Sequence, residues 1–394
     1  MGFIPWLQAK QPRVLGDDRG MNALKSTFHT RVPSLPVRVA LVGYGSAGRI
    51  FHAPLVWGVP GLTLACVVSS KPAAVLADWP GVAVVAQPAQ AFADPGIDLV
   101  VIATSNASHF ELARDALLAG KHVLVDKPCT VSLEQATELL ALARARGLVF
   151  TVFQNRRFDA DFLSLQQTIA SGVLGRIVHF ESHFDRYRPV VPDRWREQAL
   201  PGSGLWFDLG AHLVDQALVL FGMPQTIALD TACQRDGAQV NDYFHAQLHY
   251  GDQHPGLRVI LHASALVPAV GPRFVVHGTR GSFVKYGLDV QEDALKAGGR
   301  PQWGAACDWG VDPLPAVITT YPDGQMHTAS ALPVAGDYCA LYAGLLAHLR
   351  GEALALAVTP EEVWRDMALL EAGERSAALG VPVDLSGDAL RGMD

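Results

Sequence analysis

The run Val37-Arg-Val-Ala-Leu-Val42 passes directly into Gly43-Tyr-Gly45-Ser46-Ala47-Gly48. A β-branched apolar strand meeting three spaced glycines limits this chain more than any other feature. The first glycine permits a tight turn, the second lets backbone approach a ligand, and the third lets the following helix pack closely. A helix opening there points free N–H groups at the loop, which suits a pyrophosphate. Alone, such a glycine pattern is weak, because glycine-rich turns also arise for local reasons.

Context strengthens it. Short apolar runs at Val37–Val42, Leu62–Ser69, Val82–Val85, Asp98–Ala103, His122–Val125 and Val149–Phe153 alternate with helical stretches. The clearest of these are His109–Leu118, stopped by Gly120, and Leu133–Arg146, with Ser132 as N-cap and Gly147 as stop. This is the pattern of βαβ units, so the N-terminal half reads as a Rossmann-type doubly wound parallel sheet. Beyond Arg157 longer alternating strands appear at Ile177–Phe184, Tyr243–Tyr250, Leu257–Ala265 and Arg273–Val276, around one long helix near Gly204–Phe221. That predicts an α+β domain with a mostly antiparallel sheet. Residues Gly287–Ala335 read mainly as loops, and two helices close the chain. The second opens with a capping box at Thr359, Pro360 and Glu362. The expected division is an extension at 1–35, poorly ordered and holding a second possible start at Met21, a dinucleotide lobe at 36–157, and a substrate and oligomerisation lobe at 158–394. The C-terminal helices can pack back on the first lobe.

A chain of 394 residues suits two domains. A net charge of −7, without a run of five like charges, leaves no electrostatic footprint for nucleic acid or anionic lipid. Five scattered cysteines, Cys66, Cys129, Cys233, Cys307 and Cys339, contain no C-x-x-C pair, which disfavours a disulfide framework or structural zinc. His245 and His249 share a strand face but lack a nearby carboxylate at short spacing, so no metal site is expected. No stretch suits a membrane span or secretion signal, and the expectation is a cytoplasmic protein.

An NAD site usually carries an acidic residue near the end of the second strand, to bind the ribose 2′-hydroxyl. Here that place holds Ser69, Ser70 and Lys71. Two hydroxyls and a cation suit a 2′-phosphate, so NADP is expected, with NAD as the alternative; Lys71 can also be an ordinary solvated lysine. The fourth strand ends at Thr104, Asn106 and His109, candidate cofactor contacts at the strand carboxyl ends, or simply a turn and a cap.

The fifth strand ends in Asp126-Lys127-Pro128. A lysine there can stabilise negative charge on a substrate oxygen, and the proline can fix a sharp exit by a cis bond. In the helix Gly204–Phe221, Asp208, His212 and Asp215 fall at i, i+4 and i+7, one face of a segment with no Lys, Arg or Glu. Such a helix must be largely buried, and buried carboxylates persist when paired or functional. The histidine offers a proton acceptor; the competing reading is a satisfied structural pair. Asn155-Arg156-Arg157, Asp185-Arg186-Tyr187-Arg188 and Asp242-Tyr243-Phe244-His245 can line a polyhydroxylated ligand, or lie at a surface or subunit interface.

Together, Gly43-x-Gly45-x-x-Gly48, Asp126-Lys127-Pro128 and Asp208-Leu-Gly-Ala-His212 resemble the Gfo/Idh/MocA family of oxidoreductases. Within it the chain is most similar to NADP-dependent scyllo-inositol dehydrogenase-like members, through Asn155–Asp159, Asp185–Pro189, Trp195-Arg196 and Gln291–Ala294. The resemblance implies a large open C-terminal sheet whose outer face forms a homodimer or homotetramer, with a polyol or sugar site between the lobes. It assigns catalysis to Lys127, Asp208 and His212. Expected cofactor contacts are Gly43, Gly45, Ser46, Ala47, Gly48, Ser69, Ser70, Lys71, Thr104, Asn106, His109 and Lys127. Expected substrate contacts are Asn155, Arg157, Tyr187, Trp195, Asp208 and His212. Two departures stand out: Asp126 replaces the family's usual Glu, which can alter the orientation of Lys127, and Ala211 replaces a common Ser. A reductase of another sugar, dicarbonyl or unsaturated compound remains a rival, as does a non-catalytic NADP-binding sensor.

Overall fold

The computed structural model of the chain describes residues 36–305, 309–353 and 355–386. The expected N-terminal extension, with Met21, and Cys307 lie outside the described residues. Strands β1 (Val37–Val42), β2 (Leu62–Val68), β3 (Ala83–Val85), β4 (Leu99–Ile102), β5 (His122–Asp126) and β6 (Phe150–Phe153) form one sheet in the order β3-β2-β1-β4-β5-β6. Each neighbouring pair in it runs parallel. This is the doubly wound Rossmann order, and its direction reverses between β1 and β4, which opens a crevice at the strand carboxyl ends. Burial explains the apolar runs: all of β1 except Arg38 is inaccessible to within 2%.

The crossover helices are α1 (Ala53–Gly58), α2 (Pro72–Asp78), α3 (Pro88–Ala93), α4 (Asn106–Leu118) and α5 (Leu133–Arg146). The Ser132 hydroxyl caps α5 by accepting the Gln135 N–H at 3.3 Å, and Gly147 ends it at φ 62°. Helix α4 starts three residues before the expected His109, directly after the extended Ser105.

The second half contributes α6 (Ala160–Ala170), β7 (Ile177–His183), α7 (Ala211–Phe221), β8 (Thr226–Ala232), β9 (Tyr243–His249), β10 (Arg258–Ser264), β11 (Phe274–Gly278) and β12 (Gly281–Lys285). It continues with α8 (Gln291–Lys296), β13 (Val317–Thr320), β14 (His327–Ser330), α9 (Cys339–Leu349), α10 (Pro360–Leu379) and β15 (Val383–Asp384). The strands form a nine-stranded sheet, β14-β13-β12-β11-β7-β10-β9-β8-β15, antiparallel except where β7 runs beside β10. The segment 287–335 is mainly loop, as expected, but it also holds α8 and the edge hairpin β13–β14. Every residue of β14 is exposed, so no apolar alternation marks it.

Helices α7 and α10 pack on each other, and α10 covers β8. The Thr359 and Glu362 capping box forms as the sequence predicts. Trp206 is clamped between glycines: a Cβ on Gly210 or on Gly373 would lie 2.6 Å from its ring. Its indole N–H donates to the Leu370 carbonyl at 3.0 Å. Helix α9 packs on α1, and its Tyr342 joins the core that contains Val39 and Leu41 of β1.

Arg157 lies where the chain leaves the first sheet. Its guanidinium donates to Asp215 of α7 at 2.9 and 3.0 Å and to the Ala357 carbonyl at 2.6 Å, with Glu362 of α10 at 3.2 Å. The expectation that Arg157 binds substrate is therefore corrected: its donors are spent clasping α7 and α10 to the lobe junction. Removing one partner of a buried pair leaves an uncompensated charge. Arg157→Ala should lower unfolding free energy by about 3–5 kcal/mol in denaturant titrations; a stability matching wild type would contradict the clasp.

Candidate active site

The glycine loop is shaped for two different reasons. A Cβ on Gly43, at φ 97°, would sit 2.6 Å from the Ala103 carbonyl oxygen, and one on Gly48 would sit 2.1 Å from the Gly43 oxygen. Internal packing therefore demands both. A Cβ on Gly45 would meet nothing within 4 Å among the described residues. The fold does not need that glycine, and the open space above it fits close backbone approach by a pyrophosphate. The chain then enters a π turn at Gly48–His52 before α1.

Other expected cofactor contacts divide. Ser69 and Ser70 follow β2, and the Ser69 hydroxyl accepts the Lys71 backbone N–H at 3.0 Å, while Lys71 is exposed and has no ion pair among the described residues. Thr104 abuts Gly43, and its hydroxyl accepts from Ser108 at 2.7 Å. Asn106 instead spans to the second lobe, donating to the Gly202 carbonyl at 2.7 Å. His109 is wholly buried, with Nδ1 3.0 Å from the Pro128 carbonyl, and is corrected from a cofactor contact to a core residue behind the loop.

A cleft of about 270 Å³ opens between the lobes. Ser46 and Ala47 of the glycine loop, Lys127 from the end of β5, Asn155, Asp208 and His212 all line it. The Lys127–Pro128 bond is cis. Lys127 Nζ donates to the backbone oxygen of Asp208 and, at 3.0 Å, to its carboxylate. Burial alone would raise the Asp208 carboxyl, but Lys127 and then Arg196 hold it well below the usual range. Asp208 stands in a π turn, Trp206–Gly210, that widens the entry to α7.

His212 is only 5% exposed. Burial drives its imidazole well below the ordinary value, and the Lys127 and Arg156 cations push the same way against Asp208. The ring is therefore held neutral. Among the described residues its Nδ1 has no hydrogen-bond partner, and Asp208 is bonded to Lys127. Asp215 does not line the cleft and pairs with Arg157.

Asp126, the departure from the family pattern, is buried; its Oδ1 accepts the Lys127 N–H at 2.9 Å and faces His52 Nε2 at 3.9 Å. Burial would raise this carboxyl, but His52 and Lys127 pull it down. His52 in turn contacts the Tyr342 hydroxyl at 2.6 Å. The shorter side chain is thus anchored to the backbone of the residue it precedes.

Tyr187 and Trp195 do not line the cleft. Tyr187 is 57% exposed, and Trp195 stacks under the Arg196 guanidinium at 4.6 Å. Their neighbours line it instead: Arg186, Arg188, Arg194 and Arg196, with Arg156, Glu292 and Lys296. Alternation explains the split within the 185–188 cluster, since in an extended segment Arg186 and Arg188 point opposite to Tyr187. The contribution of His52 had no sequence signal.

No metal site is expected from the sequence, yet His183, Asp185 and His262 gather within 4.8 Å on the nine-stranded sheet; none of them lines the cleft. No disulfide joins the described cysteines, and none of the described helices is long and apolar enough to cross a membrane.

Comparison with known proteins agrees with this architecture. The model for the oxidoreductase family NAD-binding Rossmann fold matches residues 37–154, and the model for the Gfo/Idh/MocA C-terminal alpha/beta domain matches residues 166–385. The uncharacterized oxidoreductase YdgJ of Escherichia coli is 52% identical over 86% of this chain and 96% of its own. The scyllo-inositol 2-dehydrogenase (NADP(+)) IolW of Bacillus subtilis is 37% identical over 86% of this chain and 94% of its own. The solved structure of the oxidoreductase YPO2259 from Yersinia pestis superposes with a TM-score of 0.84 at 48% identity, over 89% of this chain and 97% of that one. The chain belongs to the Gfo/Idh/MocA family of NAD(P)-binding oxidoreductases.

Proposed function

We propose that this protein interconverts a secondary alcohol and a ketone on a cyclic polyol or sugar, using NADP(H), with a scyllo-inositol-like compound as the first candidate. One observation carries the reading: Lys127, Asp208 and a neutral His212 converge on the cleft whose opposite wall is the glycine loop. The relative named as an NADP-dependent scyllo-inositol dehydrogenase supports the choice of substrate and cofactor. The division into a cofactor lobe at 36–157 and a substrate lobe at 158–394 belongs to the same reading. So does self-association into a dimer or tetramer through the outer face of the nine-stranded sheet.

The open backbone at Gly45, with Ser46 and Ala47, would hold the dinucleotide's phosphates, and Lys71 its 2′-phosphate. Bound there, the nicotinamide supplies a two-electron hydride acceptor at C4. His212 takes the hydroxyl proton as the carbinol C–H bond gives up its hydride, leaving a ketone. Lys127 stabilises the oxygen as charge builds on it. Asp208 keeps that ammonium in place, and Asn155 offers an amide to substrate hydroxyls.

His212→Ala should lower turnover by about 10² to 10⁴-fold while NADPH binding persists; unchanged turnover on a panel of inositols and sugars would refute the assignment. A cofactor-binding sensor would turn over nothing on that panel. Lys71→Ala should raise the KM for NADP about 10- to 150-fold, as expected for one charge-assisted contact, and leave that for NAD almost unaltered. Equal effects would remove Lys71 from the cofactor site. Because burial and nearby cations depress His212, the base stays deprotonated as pH falls through the ordinary histidine range. The acid limb of kcat/KM for alcohol oxidation should therefore lie below the usual histidine value; a midpoint at or above it would contradict the electrostatics.

A further inference from the structure

The cleft carries more positive charge than the proposed chemistry uses. Among the described residues seven cationic side chains line it against three carboxylates, Asp126, Asp208 and Glu292. Most of the cations are already matched. Lys127 holds Asp208, Arg156 holds Asp159 and Glu292, Lys296 reaches Glu292 at 2.7 Å, and Arg194 reaches Glu197 at 2.7 Å.

Arg186 and Arg188 are different. Neither side chain has a hydrogen bond or ion pair among the described residues, and Arg196 has only a 3.6 Å approach to Asp208. Arg186 is half-buried, with its guanidinium 4.7 Å from the centre of the Phe184 ring. That ring also meets Arg156 at 4.9 Å and Arg273 at 5.2 Å. Arg186 lines the cleft, and packing against the ring holds its guanidinium there. Burial and the neighbouring Arg188 push the Arg186 guanidinium down to about 10, outweighing the opposite pull of Asp208 and Glu292 across the cleft.

A half-buried cation without a partner is costly, and a planar fork of donors matches an oxyanion in bidentate fashion. A neutral polyol would offer hydroxyls to that fork and leave the charge uncompensated. We infer that the substrate carries an oxyanion, a carboxylate or phosphate on its sugar or cyclitol frame, received by Arg186 with Arg188 and Arg196 beside it. The inference rests on the oxidoreductase reading above and narrows its substrate class. The redox step is unaltered: hydride goes to NADP⁺, the proton to His212, and the charged group stays intact.

The test compares D-glucuronate with D-glucose, and inositol monophosphate with myo-inositol. Each is titrated calorimetrically into the full-length protein saturated with NADPH, and each is assayed for NADP⁺ reduction. At least one charged compound should bind about 10- to 100-fold more tightly than its neutral partner, with a steep loss at high salt. Arg186→Gln should abolish at least a tenfold share of that preference while weakening NADPH much less. Equal binding of charged and neutral partners overturns the inference, as does no binding by any of the four. A preference that survives Arg186→Gln also overturns it. Equal weakening of NADPH would assign the arginine to the cofactor's diphosphate and overturn it too. Turnover of neutral compounds without charge preference leaves the dehydrogenase reading standing alone; charge preference without turnover does the reverse.

Discussion

The contact between Lys127 and Asp208 joins the two halves of this molecule at its working point. Lys127 comes from the end of β5 in the parallel sheet, and Asp208 from the turn that opens α7 in the second half. Their side chains are only 11% and 25% exposed. Such a pair is a poor source of stability, because desolvation offsets much of its attraction. It sets the electrostatics instead. The ammonium holds Asp208 ionised and helps hold His212 neutral, so a cation and a proton acceptor share one small cleft.

The rest of the fold holds that contact in place. Arg157 ties α7 and α10 to the junction, and Trp206, clamped by Gly210 and Gly373, fixes the start of the π turn that carries Asp208. Behind Lys127, Asp126 bonds the lysine's own N–H and leans on His52, which contacts Tyr342 of α9. The C-terminal helices therefore reach back to both sides of the site. Rigid supports of this kind keep reacting groups within the narrow tolerances that proximity catalysis requires.

Much of this is legible in the residues. The glycine loop, the Asp126-Lys127-Pro128 turn and the apolar helix with Asp208 and His212 each follow from local rules. What escapes depends on tertiary partners. Arg157 looks like a ligand residue until Asp215 and Glu362 arrive from α7 and α10 to occupy it. His109 looks like a strand-end contact until the Pro128 carbonyl buries it. Of the 185–188 cluster that the sequence offers as ligand lining, alternation turns Arg186 and Arg188 to the cleft and leaves Tyr187 exposed. The π turn carries Asp208 and ends before His212, so their spacing is not that of a regular α-helix, and Asp215 is taken by Arg157.

The most direct test of the central contact is a double-mutant cycle on kcat/KM with Lys127→Met, Asp208→Asn and both together. If the pair acts as one unit across the lobes, each single change removes nearly all that the double change removes, leaving a large coupling energy. Independent, additive losses would show that the two side chains do not work through each other, and would contradict the role of their contact as the centre of the site.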